Sequence, residues 1–136
     1  MLKAQWIFLL IFLLFLTPIT VPASDFDGTK PLICALKDDF ECGPDGCERV
    51  TSEAINLPQF LRLNFKDKQI TTVREGVQVR TTKMERAESL ESSLFVQGLE
   101  NNLAWSLVID KAAGKMVMTI AGDQVGFVIF GACTTP

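Results

Sequence analysis

Much of this chain alternates between apolar and polar positions with a period of two, the pattern of half-buried β-strands. In residues 103–110 every second position holds a large apolar side chain, and residues 59–65 and 115–121 repeat this alternation. Clusters of turn-forming residues separate the runs, which is typical of strands joined by short connections. We therefore predict eight strands, at 31–37, 59–65, 69–73, 77–86, 93–99, 103–110, 115–121 and 125–132.

The short connections leave no room for crossover helices, so the sheet is expected to be antiparallel. Spacing of this kind predicts an all-β fold in which about eight strands form a meander and a closed or partly closed small barrel. Residues 125–132 are apolar on both faces, which predicts a strand that is central or covered on both sides. Residues 87–91 are interpreted as a loop or one helical turn. Residues 51–54 are interpreted as one helical turn that Thr51 caps and Pro58 ends.

The first 23 residues have the pattern of a secretory signal peptide. Lys3 precedes an unbroken apolar run at 7–16, and small residues lead to an expected cleavage site after Ala23. We expect a mature single domain at 24–136 in the periplasm or outside the cell. The alternative is an uncleaved anchor, but the apolar run is only half of the roughly 20 residues that a spanning helix needs. No stable membrane span is therefore expected after cleavage.

The composition and the net charge then exclude several classes of function. The chain has no histidine and no tyrosine, and its formal net charge is −3. The missing histidine excludes Ser-His-Asp and Cys-His catalysis and removes the commonest general base near neutral pH. The acidic balance lacks the basic footprint of a nucleic-acid-binding protein. We predict a non-enzymatic monomer without cofactor or metal.

Export also decides how the four cysteines are interpreted, because an even number in an oxidising compartment indicates disulfides. Three pairings are possible. Residues 42–47 have the composition of a turn, which brings Cys42 within bonding distance of Cys47 and leaves Cys34 for Cys133. The second bridge would lock the first strand beside the last and close a barrel. A zinc site or a redox site is disfavoured, because the spacing contains neither paired knuckles nor a C-x-x-C motif.

An acidic segment surrounds the predicted Cys42–Cys47 turn. Its five carboxylates are a candidate interaction loop, held rigid by the disulfide: Asp38, Asp39, Glu41, Asp45 and Glu48. Calcium is the alternative ligand for such a cluster, but the spacing does not fit the EF-hand pattern. The simplest interpretation is a solvated acidic loop.

Large apolar side chains on the last three predicted strands are candidates for a ligand pocket. Four of them are chosen as its wall: Trp105, Leu107, Met118 and Phe127. The alternative is ordinary core packing, since a small barrel is often filled completely by its own side chains.

Three segments together, PLICALKDDFECGPDGC (31–47), INLPQFLRLNF (55–65) and GKMVMTIAGDQVGFVIFGACT (114–134), carry a family resemblance. They resemble a family of short exported proteins of Gram-negative bacteria, whose most distinctive piece is the closing V-x-F-G-A-C-T. The resemblance implies export to the bacterial envelope. That family has no assigned activity, so no catalytic residue is carried over. The expected architecture is similar to lipocalin-like barrels and to small periplasmic inhibitors of lysozyme or proteases, an analogy of fold only.

Two hypotheses of function follow. The first is a periplasmic β-barrel that binds an apolar small molecule in its interior. The second is an envelope protein, an inhibitor or accessory factor, that binds a partner protein through the acidic segment 38–48. An internal cavity would favour the first hypothesis, and a filled core with a projecting loop would favour the second.

Overall fold

In the computed structural model of this protein, the described residues 24–73 and 79–136 contain ten β-strands that form one antiparallel sheet. The predicted signal peptide and residues 74–78 lie outside the described residues. The strands are β1 (Leu32–Gly43), β2 (Gly46–Val50), β3 (Phe60–Asn64), β4 (Gln69–Val73), β5 (Thr81–Lys83), β6 (Arg86–Ser89), β7 (Ser93–Glu100), β8 (Leu103–Asp110), β9 (Lys115–Ala121) and β10 (Gly126–Thr134).

The sheet order is β5-β4-β3-β1-β10-β9-β8-β7-β6, with β2 attached to β1 outside this path. The sheet curls into a half-barrel, and its two ends are the consecutive strands β5 and β6. The two residues between them bond to the strands next to these ends: Met84 N–H donates to Lys68 O, directly before β4, at 2.8 Å, and Glu85 N–H donates to Gln97 O of β7 at 2.9 Å. The predicted all-β, antiparallel, partly closed barrel with disulfide staples is confirmed.

Two local predictions were wrong. The acidic segment 38–48 is not a loop, because β1 continues to Gly43 and pairs with β2 in a hairpin. Residues 87–89, predicted as part of a loop or helical turn at 87–91, belong to β6, which pairs with β7 from Arg86 opposite Gln97 to Ser89 opposite Leu94. In both places the neighbouring strand fixes an extended backbone that charged and small residues do not predict from their own propensities.

The inward side chains of the strands form a single core. Its fully buried members include Leu63, Leu107, Ile109 and Ile129. Strand β10 is central, as predicted, since it lies between β1 and β9. Its inward Ile129 is buried, whereas its outward Phe130 is 41% exposed and packs edge-on against Phe40. Among the described residues nothing covers that outer face completely.

The residues that precede β1 close one end of the half-barrel. Ser24 Oγ donates to Lys111 O at 2.8 Å, just beyond the end of β8. The ring of Phe26 packs onto Gly114, where a Cβ atom would lie only 2.5 Å from the ring and where φ is +67°. Glycine is therefore required at this turn on both steric and backbone grounds. The opposite end of the half-barrel, where β8 begins, is the open one.

The two disulfides join residues that face each other directly across paired strands. Cys34 of β1 is bonded to Cys133 of β10, with 3.9 Å between their Cα atoms. Cys42 of β1 is bonded to Cys47 of β2, with 4.0 Å between theirs. The first bridge is buried and links the chain termini of the domain. The second is at the exposed tip of the hairpin.

Strand β1 contains a bulge where it crosses β10. Leu36 pairs with Gly131 and Asp38 pairs with Phe130, so Lys37 is the extra residue. The bulge brings the Ala35 carbonyl oxygen so close to Gly131 that a Cβ atom there would lie 2.1 Å from it. Gly131, in the V-x-F-G-A-C-T segment, therefore lacks a side chain where the backbones of β1 and β10 approach each other closely.

A search of the described residues for a helix with the length and hydropathy to cross a membrane found none.

Candidate functional site

A cavity of about 150 Å³ lies at the open end of the half-barrel. Its walls come from the inward faces of strands on both sides of the curled sheet and from residues 55–58, which connect β2 to β3. The apolar side chains in the wall include Leu36, Leu61, Ile70, Trp105, Met118, Ile120 and Phe127. The cavity is therefore an extension of the core that its own side chains do not fill.

Residues 51–58 form a cover over this cavity and are fixed by hydrogen bonds. Thr51 Oγ1 accepts from Ala54 N–H at 3.2 Å, and Leu57 N–H donates to Ser52 O at 2.8 Å, so the segment makes turns but no helix. Ser52 Oγ donates to the carboxylate of Asp39, which is only 3% exposed. A buried carboxylate on β1 therefore anchors the cover, and Asp39 is a structural residue of this end of the barrel.

Trp105 is the residue of the cavity wall with an unsatisfied polar group. Its side chain is 5% exposed, and its indole Nε1–H has no acceptor among the described residues. The indole lies across Gly98, its partner on β7, where a Cβ atom would be 2.4 Å from Cζ2 and 2.5 Å from the Lys83 carbonyl oxygen. The missing side chain at Gly98 is what allows the indole to reach across towards β5.

The mouth of the cavity is polar. Arg80, Glu100, Asn56 and Asn101 stand around it. The backbone of Arg80 is fixed by Thr72, whose N–H donates to Arg80 O at 2.8 Å. The guanidinium Nη2 donates to Asn56 O at 3.2 Å, and no carboxylate of the described residues is within ion-pair distance of it. Arg80 therefore carries a positive charge to the mouth without a described counter-ion.

Of the four pocket residues predicted from the sequence, the structure places three at the cavity. Trp105, Met118 and Phe127 line the cavity. Leu107 is fully buried deeper in the core and does not line it. Arg80 and the cover segment were not predicted as site residues, because no motif in the sequence marks either of them. Both reach the cavity only because the sheet curls.

The five acidic residues do not form one cluster. Asp38 pairs with Arg49 at 2.5 Å, and Arg49 also lies 5.1 Å from the ring centroid of Phe40. Asp39 is buried under the cover segment. The remaining three carboxylates are on the hairpin: Glu41 faces Glu48 directly across the two strands, and Asp45 is exposed at the tip. Only these three are available to a partner.

The chemistry that the cavity can offer is set by the side chains that line it. Its lining contains apolar groups, amides, hydroxyls and two charges, with no paired nucleophile and base. Across residues 24–73 and 79–136, no three acidic or cysteine side chains converge as a metal site would require. Hydrogen bonds from the Thr29 hydroxyl and N–H lower the pKa of Asp27, but that residue belongs to the opposite, closed end.

The fold and site define an antiparallel β half-barrel with two cross-strand disulfides and a small cavity at its open end. Comparison with protein-family models, with curated proteins and with solved structures gives no match. The geometry of this chain is therefore what bears on its function.

Proposed function

We propose that this protein is a non-enzymatic binding protein of the bacterial envelope that takes a small apolar ligand into the cavity at its open end. The cavity carries this proposal, because protein interiors normally leave few voids larger than a water molecule. Predominantly apolar walls with a few polar groups at the mouth are typical of ligand sites.

The size of the cavity limits the ligand. About 150 Å³ is far below the 300–1,000 Å³ of a pocket for drug-sized molecules. An engineered apolar cavity of about this volume in another protein binds benzene. The ligand is therefore a compact molecule of that scale, or a larger one of which only a compact part enters. A long acyl chain does not fit without movement of the cover.

Filling the cavity should abolish ligand binding. Ile120 lines the cavity from β9, and Ile120→Trp puts a bulky ring into the ligand's space. Val117 is on the same strand but points outwards and is 37% exposed, so Val117→Trp is the matched control. Native mass spectra of protein purified from the periplasm should show a bound small molecule for the wild type and V117W. I120W should give only the mass of the protein.

The mass spectra show whether a ligand binds in this cavity. A ligand mass that survives in I120W with a native-like circular dichroism spectrum contradicts binding in this cavity. A melting temperature for each variant distinguishes a filled cavity from an unfolded protein. Protein that is purified without a bound small molecule is then titrated with benzene-sized probes.

The hairpin supports a second candidate function, binding of a basic partner protein. Among residues 24–73 and 79–136 strand β2 pairs only with β1, and its residues 46–49 are exposed, so its outer edge is open to another strand. Glu41 and Glu48 face each other, an arrangement of like charges that is unfavourable until a cation binds. The Cys42–Cys47 bridge holds the hairpin in shape, which lowers the ordering cost of binding.

The charges of the hairpin can be removed without touching the barrel. The triple variant E41Q/D45N/E48Q should lose a partner that the wild-type protein retains from envelope extract, and the retained protein should dissociate as salt is raised. I120W, which alters only the cavity, should retain the same partner. Equal capture by the triple variant and the wild type would exclude this hairpin as the binding surface.

A further inference from the structure

Two hydrogen-bond donors of the cavity lack a full set of acceptors. The buried Trp105 Nε1–H has none among the described residues. The Arg80 guanidinium at the mouth donates to a single backbone carbonyl, that of Asn56. Trp105 Nε1 has less than 1 Å² of accessible surface, so it does not face the space that a ligand would occupy. The Arg80 guanidinium is exposed at the mouth and has further N–H groups that can donate to an oxygen atom of a ligand.

The charges at the mouth define how many negative charges the ligand carries. Arg80 is a planar cation whose N–H groups match the two oxygens of a carboxylate. Glu100 stands at the same mouth and opposes a second negative charge on the ligand. A carboxylate that reaches Arg80 is therefore favoured over an ammonium group at that position, and Glu100 disfavours a ligand that carries two negative charges.

We propose that the ligand is a small monocarboxylic acid with a compact apolar body of about benzene size, and that Arg80 selects it by binding its carboxylate. This inference rests on the proposed function. The apolar body occupies the cavity beside the Trp105 side chain, and the carboxylate lies at the mouth beside Arg80. Arg80 is then the specificity-determining residue of the site.

Three probes with one aromatic ring and different polar groups test the charge. They are toluene, phenylacetate and phenethylamine, which are neutral, anionic and cationic near pH 7. The protein has two tryptophans, and Trp6 lies in the predicted signal peptide, so after cleavage Trp105 is the tryptophan reporter in the cavity wall. Titration of the mature protein should show phenylacetate binding at least tenfold more tightly than either other probe.

The matched variants are Arg80→Gln and Arg62→Gln. Arg62 is exposed on the outward face of β3 and does not line the cavity. R80Q should remove the tenfold preference for phenylacetate and leave the affinity for toluene unchanged, whereas R62Q should change neither. Glu100→Gln should tighten phenylacetate binding, because it removes the opposing charge.

Failure of this inference differs from failure of the proposed function. If toluene or phenethylamine binds as tightly as phenylacetate, or if R80Q keeps the preference, selection of a carboxylate by Arg80 is overturned while the cavity remains a ligand site. If none of the three probes changes the fluorescence of Trp105, both the carboxylate and the ligand-binding function are rejected.

Discussion

Replacing Cys34 and Cys133 together by alanine is expected to lower the free energy of unfolding by about 4–5 kcal/mol. This bridge closes a loop with a sequence separation of 99 residues, and the entropy that a cross-link removes from the unfolded chain grows with loop length. It also ties β1 to β10 beside the closed end, where both sulfur atoms are in the core. Urea unfolding followed by the fluorescence of Trp105 measures the loss.

The hairpin disulfide provides the matched comparison. Cys42 and Cys47 are only five positions apart in the sequence, so the same relation gives about 2 kcal/mol for their double alanine variant. The bridge is at an exposed tip, and the core does not depend on it. Equal losses for the two double variants would contradict a loop-length origin of the stabilisation. The circular dichroism spectrum of C42A/C47A should remain native.

Gly131→Ala is expected to destabilise the protein by about 3 kcal/mol, the upper range for overpacking at a rigid site. The added methyl group would lie 2.1 Å from the Ala35 carbonyl oxygen. The backbone of Gly131 and the backbone of Ala35 are both held by the β1–β10 ladder. Neither strand can yield without disturbing the bulge at Lys37. Urea unfolding is again the measurement, at the same protein concentration and temperature as for the wild type.

Gly126→Ala is the control on the same strand. The nearest atom to a Cβ there is 3.7 Å away, which is ordinary contact, so the change should stay within about 0.5 kcal/mol of the wild type. The two variants add the same methyl group to the same strand and differ only in the close approach of β1. A loss at Gly126 that matches the loss at Gly131 would show that any side chain on β10 is harmful and that the bulge is not the cause.

Much of the barrel was predictable because alternating side chains are a local signal. The inward Leu103, Trp105, Leu107 and Ile109 of β8 follow from the period of two, and the structure places Trp105, Leu107 and Ile109 in the core. The turn between Cys42 and Cys47 was also local, so the pairing of the cysteines followed from it. Residues 86–89 show the limit of such signals, since their charged and small side chains become a strand only by pairing with β7.

The candidate site was predictable only in part, because it is made where distant strands meet. Trp105, Met118 and Phe127 were found because they are large apolar residues on clear strands. Arg80 is close to none of them in sequence and is an exposed cation that no pattern distinguishes from Arg62. Its place at the cavity mouth depends on the pairing of its backbone with Thr72 and on the curl of the sheet.

The sequence by itself therefore determined the antiparallel strands, the exclusion of histidine chemistry and the disulfide pairing, since each depends on residue type or on short spacing. Only the tertiary structure decided that the acidic segment is a hairpin, that Asp39 is buried beneath the cover, and that a void remains beside Trp105. These features depend on how far the sheet curls and on which side chains then meet across it. The order of apolar and polar residues along the chain does not specify the curvature of the sheet.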